Sequence, residues 1–373
     1  MNRNEAKAWA ASVLTKLEQK MPTAIEKAQH LTDNLPYTVK ENAWAPGPFD
    51  GICWWTNGFW PAMMWQLYAQ TGNPCYQKEA RRSQQVLDAA FNDFEHLHHD
   101  VGFMWRISTG FDYELTGEPA ARTTTLLAAN LLAGRFNPNG FIRAWNADQT
   151  GWAIIDCMMN LSILYWASEQ TGDPRFRLIA ERHADTVQKV FIREDGTSEH
   201  IVVFDPLTGE VLDKLGGQGY EKGSVWSRGL SWALYGFTIS YRHTQKPEYL
   251  ETAKKTADAF IRYAKKDWLP DCDFRQPPEP VLKDDCAGGI AACGLLELAD
   301  CLGEEGAVYY NAACHLLMAM EAAHTDWSEE TPAILTHCTG SYHGKDHHIP
   351  MVYGDYYFVE GVCRLLGNRK LRW

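Results

Sequence analysis

A repeated pair of helices is the feature that most restricts how this chain can fold. Each copy has an apolar, aromatic-rich helix, a short turn and a second, more charged helix. In two copies the turn contains Gly72–Pro74 or Gly172–Pro174. Glycine at such a position favours the end of one helix, and proline favours the start of the next. The copies begin near Trp55, Gly151, Ser224 and Cys286.

The two helices of a pair differ in what they can expose to water. The first helices are apolar all round, so they must be buried. In the second helix of the third copy, Ala257, Phe260, Ile261 and Ala264 recur at helical spacing and form one apolar face. Hairpins of this kind can close into a ring with the first helices inside. The pattern therefore predicts an all-α fold, an (α/α)6 barrel of six hairpins, as a single domain over residues 1–373.

Further parts of this ring are expected outside the four copies. Asp112–Phe136 and Gly354–Leu366 have helical patterns that supply them, and Asp195–Leu212 alternates enough to allow a short β-hairpin. The stretches between hairpins carry the glycines, prolines and irregular polar residues. Loops on a rigid scaffold commonly build the functional site, so we expect a site at one end of the ring.

Charge and composition exclude several classes of function. The chain has 47 acidic and 35 basic residues, a net charge of -12, and lacks the basic face that nucleic acid needs. A small acidic ligand needs only one or two cations and stays possible. No nucleotide-binding loop, zinc-protease motif or serine-hydrolase elbow occurs in the sequence.

Cysteine usage and hydropathy bear on the compartment. Ten cysteines are scattered without a CxxC pair, which is typical of buried thiols in a reducing environment. The N-terminal segment lacks the apolar core of a signal peptide, and we expect no membrane-spanning segment. The sequence predicts a cytoplasmic protein with no membrane partner.

Aromatic residues are abundant: 15 Trp, 16 Tyr and 15 Phe. Most of them are expected to pack in the core. Several tryptophans nevertheless lie at helix starts or in adjoining loops, where an aromatic face can stack on a sugar ring. They are Trp55, Trp60, Trp145, Trp152, Trp226 and Trp232.

Two acidic residues stand out as candidates for catalysis. Asp156 lies among apolar residues, where burial would raise its pKa towards that of a general acid; the alternative is a helix cap or an arginine partner. Asp100 ends the cluster His96–Asp100, for which a metal site, a solvated loop and a substrate-contacting loop stay open. Two carboxyl groups across a sugar cleft are typical of glycoside chemistry.

Three further polar residues lie near the start of the third hairpin. Arg228 opens an apolar helix and needs an anion, which is either a substrate carboxylate or an internal Asp. Gln218 and Tyr220 occur in a glycine-rich segment that permits tight turns.

An ordered set of segments resembles glycoside hydrolase family 88, the unsaturated glucuronyl hydrolases. The resemblance runs from about Trp54 to Leu366, nearly the whole chain. Each segment alone is weakly specific, whereas their order together is highly specific. The segments are WTNGFW, HHDVGF, GFIRAWN, IIDCMMNLSILYWASEQTGDP, VFDPLTGE, GSVWSRGLSWALYGF, IAACGLLELA, GSYH and YGDYYFVEGVCRLL.

The resemblance implies a fold and a reaction. The family has an (α/α)6 barrel and acts on oligosaccharides left by polysaccharide lyases, which end in a uronic acid with a C4=C5 double bond. A carboxylic acid protonates C4, water adds at C5, and the hemiketal opens and releases the next sugar. The implied partner is an unsaturated uronic-acid oligosaccharide such as a glycosaminoglycan disaccharide, with no metal or organic cofactor.

The resemblance also implies roles for individual residues. Asp156 corresponds to the general acid and base, and Asp100 to a second carboxylate that holds ring hydroxyls. Polar contacts to sugar and water are implied for His99, His200, Gln218 and Arg228. Aromatic walls are implied for Trp55, Trp145 and Trp232.

The last loop of the chain is implied to contact the substrate through Tyr342. Relatives that prefer sulfated fragments tend to carry extra serine and lysine here. This chain has Ser341 and Lys345, but Gly344 stands where a second serine could be. The sequence therefore leaves the sulfate preference open.

Three other functions are compatible with parts of this sequence pattern. An epimerase or isomerase of the same barrel class would use a histidine pair as acid and base. A sugar-binding protein would keep the tryptophans and not need Asp156. An unsaturated rhamnogalacturonyl hydrolase would share the fold, but it matches these segments less well.

Overall fold

Thirteen α-helices and seven short strands occur in the described residues, 2–47 and 51–373, of a computed structural model. The helices are α1 Arg3–Ala28, α2 Phe59–Thr71, α3 Pro74–Leu87, α4 Val101–Trp105, α5 Thr109–Thr116, α6 Pro119–Ala133, α7 Cys157–Thr171, α8 Pro174–Val190, α9 Ser227–Thr244, α10 Pro247–Ala264, α11 Asp285–Leu302, α12 Ala307–His324 and α13 Val352–Leu365. The strands are β1 Thr38–Lys40, β2 Ala43–Ala45, β3 Phe136–Asn137, β4 Phe141–Ile142, β5 Trp152–Ile154, β6 Ile201–Phe204 and β7 Val211–Leu215.

The helices form six hairpins arranged as a closed ring. The inner helices are α2, the pair α4 and α5, α7, α9, α11 and α13, and each packs against the next, with α13 returning to α2. Their outer partners are α3, α6, α8, α10, α12 and α1. The predicted (α/α)6 barrel is confirmed. The role of α1 as the outer partner of α13 was not predicted.

The turns inside the hairpins form for the reasons given by the sequence. Gly72 and Gly172 end α2 and α7 with φ of 73° and 71°. The side chains of Asn73 and Asp173 then accept hydrogen bonds from backbone N–H groups of α3 and α8. Both of these outer helices begin with proline, whose missing N–H would have no partner there.

Small residues let the inner helices approach one another closely. A Cβ added at Gly236 of α9 would lie 2.4 Å from the Cβ of Met158 in α7. No side chain fits at that distance, so glycine is required where these two helices meet. The inner helices are buried because of this packing: every residue of α9 from Ser227 to Ser240 is buried.

A three-stranded antiparallel sheet lies beside the barrel entrance in the order β5-β6-β7. It contains the β-hairpin expected in Asp195–Leu212, now joined by β5. Strand β5 leads into Asp156 at the start of α7, and β6 begins directly after His200. The sheet therefore brings two polar residues from distant parts of the chain to one place.

One segment meets the length and composition criteria for crossing a membrane, contrary to the sequence expectation. Asp285–His324 comprises α11, α12 and the turn between them, and its most apolar window has a mean hydropathy of 1.4. That window is 78% buried inside the barrel. An apolar helix of a barrel core meets the same criteria, since its whole surface faces other protein.

Candidate active site

The candidate site is a cavity of about 580 Å³ at the barrel end where the inner helices begin. It brings together seven of the residues predicted to form the site, namely Trp55, His99, Asp100, Trp145, Asp156, Gln218 and Arg228. The remaining lining residues are Trp54, Glu95, His96, His98, Asn146, Ala147, Gln149 and Ile154.

Asp156 occupies the N-cap position of α7, but its side chain makes no capping hydrogen bond. Its Oδ1 is buried and has no hydrogen-bond partner among the described residues. Burial raises the pKa of Asp156 to about 7, although the charge of Arg228 opposes this shift. A carboxyl group with this pKa is about half protonated at neutral pH and largely protonated below it, and its Oδ1 has no protein partner among the described residues.

His200 extends from the sheet towards Asp156. Its Nε2 lies 3.9 Å from Asp156 Oδ1 and is also buried without a hydrogen-bond partner. Its Nδ1 lies 3.0 Å from the backbone nitrogen of Gln218 and 3.1 Å from the carbonyl oxygen of Gly216. The loop after β7 thus fixes the ring, and Nε2 and Oδ1 lie too far apart to hydrogen-bond directly to each other.

Asp100 lies at the N-terminus of α4 and is held by its neighbours. Asn160 donates from Nδ2 to Asp100 Oδ1 at 3.2 Å, and it also donates to the carbonyl oxygen of Asp156 at 3.4 Å. Burial, followed by the nearby charge of Asp156, raises the pKa of Asp100 well above its usual value. Both carboxyl groups therefore keep their protons to a higher pH than an exposed carboxyl group does.

His99 is held as a neutral imidazole with a defined tautomer. Its Nδ1 lies 3.0 Å from the carbonyl oxygen of Ala144, which can only accept, so this nitrogen carries the hydrogen. Burial lowers the pKa of His99 well below its usual value. Its unprotonated Nε2 faces Asp100 and lies 3.3 Å from Asp100 Oδ1.

Arg228 is already paired inside the protein. Its Nη1 donates to Asp284 Oδ2 and to the carbonyl oxygen of Thr339, both at 2.8 Å, and its Nη2 donates to that of Gly340 at 2.6 Å. The structure therefore shows the internal Asp that the sequence left as an alternative. Three of its five N–H groups are used in this way, and the guanidinium still borders the cavity.

The loop that follows α12 contacts Gln218, which lies after β7 and lines the cavity. Gln218 donates from Nε2 to the carbonyl oxygen of Gly340 at 2.7 Å, and its own carbonyl oxygen accepts from the N–H of Tyr342. Tyr342 packs edge-on against Tyr220. The structure does not place Ser341, Tyr342 or Lys345 in the cavity wall, and Lys345 is exposed. The stretch expected to sense sulfate lies beside the cavity and not in it.

Two of the three predicted aromatic walls face the cavity. Trp55 packs against Phe103 and Tyr353, and Trp145 lies edge-on to His99. The prediction that Trp232 forms a wall at the barrel mouth is wrong. Its side chain is fully buried below the floor, against Phe103 and Tyr357, because α9 is apolar all round and lies inside the ring.

Sequence reasoning missed residues that hold the site together. Asn160 lies one helical turn after Asp156 as a polar residue in an apolar helix, and that contrast could have revealed it. Asn146 and Gln149 line the cavity from a loop with no recognisable pattern. The Arg135 side chain binds backbone carbonyl groups, and Ala144 acts through its own carbonyl oxygen; such contacts have no signal in a single sequence.

Three groups of side chains in the described residues come near enough to offer ligand atoms to one ion. In His98, His99 and Asp100 the two rings stack, with centroids 4.9 Å apart. In Asp285, His324 and His337 the rings stack at 3.9 Å with 10° between their planes. Ring nitrogen lone pairs lie in the ring plane, so stacked rings do not direct them at one point. The third group is Asp284, Cys286 and Cys338, where Asp284 already pairs with Arg228.

A ring of helical hairpins with two proton-retaining carboxyl groups beside aromatic walls defines a carbohydrate-active enzyme of the glycosidase type. The family model described as Glycosyl Hydrolase Family 88 matches residues 13–269. The chain belongs to this family, that of the unsaturated glucuronyl hydrolases. It is a glycosidase that hydrolyses unsaturated glucuronides, and the predicted family and activity are confirmed.

Individual relatives agree with this assignment. The chain is 35% identical to an unsaturated glucuronyl hydrolase of Bacillus sp. (strain GL1), over 83% of this chain and 86% of the relative. It is 32% identical to an unsaturated chondroitin disaccharide hydrolase of Streptococcus pneumoniae, over 97% and 95%. The crystal structure of an unsaturated glucuronyl hydrolase from Bacillus sp. GL1 superposes with a TM-score of 0.88 at 31% identity, covering 94% of this chain and 96% of that one.

Proposed function

We propose that this enzyme removes 4,5-unsaturated glucuronic acid from the non-reducing end of lyase-generated glycosaminoglycan disaccharides by hydrating the C4=C5 bond. The observation that carries the proposal is the Asp156 carboxyl group. It is buried, its Oδ1 has no hydrogen-bond partner among the described residues, and its pKa is raised to about 7. The name of the Streptococcus pneumoniae relative supports a chondroitin-type substrate.

In the first step Asp156 donates its proton to C4 of the vinyl ether. The positive charge that forms is shared between C5 and the ring oxygen. The Asp156 carboxylate left behind is next to this charge and stabilises it, as a fixed charge does in a site that excludes water. Asp100 supplies the second carboxyl group of the pair, which holds the ring hydroxyls.

In the second step water adds to C5. Asp156 Oδ1 and His200 Nε2, which have no hydrogen-bond partner among the described residues, would bind this water, with the carboxylate as the base that takes its proton. The C5 hemiketal then opens to a ketone, and the ring oxygen becomes a hydroxyl on C1. The C1 hemiacetal breaks to an aldehyde and releases the next sugar with its oxygen.

The entrance of the barrel favours an anionic substrate although the chain is acidic overall. The N-termini of α4, α7 and α9 point at the cavity, and each carries a partial positive charge from its unpaired N–H groups. Arg228, although paired with Asp284, borders the wall with N–H groups that this pairing leaves unused. We therefore propose that the uronate carboxylate binds at the part of the cavity wall formed by these helix N-termini and Arg228.

The test follows the absorbance of the conjugated double bond with an unsaturated chondroitin disaccharide. Wild type should abolish this band, and Asp156→Asn should lower kcat by about 10³-fold or more, since an amide cannot donate the proton. Asp88→Asn is the matched control. Asp88 is another carboxyl group whose pKa is raised by burial, it lies outside the cavity wall, and asparagine can still accept the indole hydrogen bond of Trp105.

The possible outcomes separate the functions. Full activity of Asp156→Asn would transfer the acid role to Asp100. Conversion of saturated uronides without band loss would indicate the epimerase. Binding without any turnover would indicate a sugar-binding protein.

We also propose that the enzyme acts in the cytoplasm, on products that a lyase and an uptake step supply. Eight of its ten cysteine side chains are buried in the core, where thiols pack as small apolar groups. Cell fractionation with activity measured in each fraction tests this proposal, and activity confined to the medium or envelope would contradict it.

A further inference from the structure

We propose that Arg135 is a positioning residue that holds both the Trp145 wall and the His99–Asp100 pair in place for catalysis. The proposal rests on the function proposed above. Arg135 follows the C-terminus of α6 and lies behind the cavity, so it does not contact the substrate itself. Its effect is transmitted by the backbone of the loop at residues 143–146.

Arg135 binds this loop with four hydrogen bonds. Its Nε donates to the carbonyl oxygen of Arg143 at 2.9 Å, and its Nη1 donates to Asn146 Oδ1 at 2.9 Å. Its Nη2 donates to the carbonyl oxygens of Ala144 and Trp145 at 2.8 and 2.7 Å. One planar guanidinium thus fixes four consecutive residues, which a lysine ammonium cannot do because it lacks the fork of donors.

The pairing of Arg135 differs from that of the structural arginines. Arg228 and Arg364 each form an ion pair with a buried carboxylate. No Asp or Glu of the described residues forms an ion pair with Arg135. Its charge is therefore not neutralised by an adjacent anion and extends towards the catalytic carboxyl groups.

The carbonyl oxygen of Ala144 connects Arg135 to the catalytic pair. It accepts from Arg135 Nη2 and also from His99 Nδ1 at 3.0 Å. This second bond sets the tautomer that leaves His99 Nε2 facing Asp100 Oδ1 at 3.3 Å. If the Ala144 carbonyl moved, the imidazole could rotate or change tautomer, and Asp100 would lose its defined partner.

The same loop is also tied to the segment that contains Asp100. Asn146 donates from Nδ2 to the carbonyl oxygens of Glu95 and Leu97. Arg135, by holding Asn146 Oδ1, orients this amide. One arginine therefore sets the distance between the Trp145 wall and the His98–Asp100 segment across the cavity.

The charge of Arg135 has a predictable effect on protonation. It lowers the pKa values of His99 and Asp100, in opposition to the burial that raises that of Asp100. Without it, both groups bind protons more readily. On acidification, His99 would then become protonated at a higher pH than in wild type. Activity that needs neutral His99 would be lost at that higher pH.

The test compares Arg135→Met and Arg135→Lys with Arg122→Met. Arg122 is the matched control: it lies on α6, the helix that Arg135 follows, and it is half-buried. It donates to the backbone carbonyl oxygen of Gln170 at 2.8 Å, away from the cavity. We measure kcat, KM and the pH profile on an unsaturated chondroitin disaccharide. We also measure Tm and hydrogen–deuterium exchange of residues 143–152.

Arg135→Met should lower kcat/KM by about 10²-fold, the scale of a 1 Å misplacement in an active site, and move the acidic limb of the profile to higher pH. Residues 143–152 should exchange faster. Arg135→Lys should keep the acidic limb of wild type while KM rises. Arg122→Met should lower Tm. It should leave kcat, KM, the acidic limb of the pH profile and the hydrogen–deuterium exchange of residues 143–152 unchanged.

The proposal is overturned if Arg135→Met keeps the wild-type kcat, KM and acidic limb, even with a lower Tm. Unchanged exchange of residues 143–152 overturns it as well. Because exchange needs no substrate, it decides the role of Arg135 even if wild type proves inactive. Inactive wild type would count against the proposed function alone.

Discussion

At the scale of single residues, the candidate site depends on where polar atoms are left without partners. Asp156 and His200 each have a buried polar atom without a partner among the described residues, and the two atoms lie 3.9 Å apart. Burying an unpaired polar atom is costly, so a ligand atom that hydrogen-bonds to one of them recovers part of that free energy. The sequence indicated that Asp156 is a buried carboxyl group but could not indicate that its partner is absent.

The pKa of Asp156 makes a prediction for the pH dependence of kcat. This pKa is raised from its usual value to about 7, and the proposed first step needs the protonated acid. We therefore expect kcat to be highest below pH 7 and to fall about tenfold per pH unit well above it. The profile is measured with saturating unsaturated disaccharide, and a kcat that is constant up to pH 9 would contradict the assignment.

Residue-scale predictions from sequence stayed open or failed where a partner comes from a distant segment. For Arg228 the sequence left a substrate carboxylate and an internal Asp as alternatives, and Asp284 with two loop carbonyls uses three of its N–H groups. Trp232 was expected at the barrel mouth, yet it lies below the floor. Nothing in one sequence indicates which of several tryptophans faces a cavity, because that depends on the rotation of each helix in the ring.

At the scale of elements, periodicity and turn chemistry were sufficient to predict the hairpins. The glycine–proline turns end and begin helices where expected, and the hairpin predicted in Asp195–Leu212 is present as β6 and β7. The pairing of β5 with β6 was not predictable, since the two strands are separated by a complete hairpin, α7 and α8. That pairing brings Asp156 and His200 together.

The contact between α7 and α9 leads to a prediction for stability. Gly236→Ala would place a methyl group 2.4 Å from the Cβ of Met158. Two inner helices would have to separate, so we expect unfolding free energy to fall by about 1–3 kcal/mol. Gly134→Ala is the control, because its Cβ would come no nearer than 3.4 Å to other atoms, and it should leave stability nearly unchanged. Denaturant unfolding measures both, and equal stability of the two variants would contradict this packing.

At the scale of the whole molecule, the barrel places the N-termini of its inner helices around one cavity. Asp100, Asp156 and Arg228 come from three different hairpins, and each lies at or within two residues of the start of an inner helix. Repeating one hairpin thus gathers distant residues at one end. The sequence could predict this gathering from the order of helices, but not the loop contacts of Arg135 that align the residues.

The reaction proposed for this site is tested most directly by running it in D2O with an unsaturated chondroitin disaccharide and reading C4 of the released sugar early by NMR. Asp156 lies on one side of the bound ring, so the account predicts a single deuteron at C4, added to one face only. An equal mixture of the two C4 configurations would mean that the double bond was protonated in solution after release. That result would contradict proton donation by Asp156.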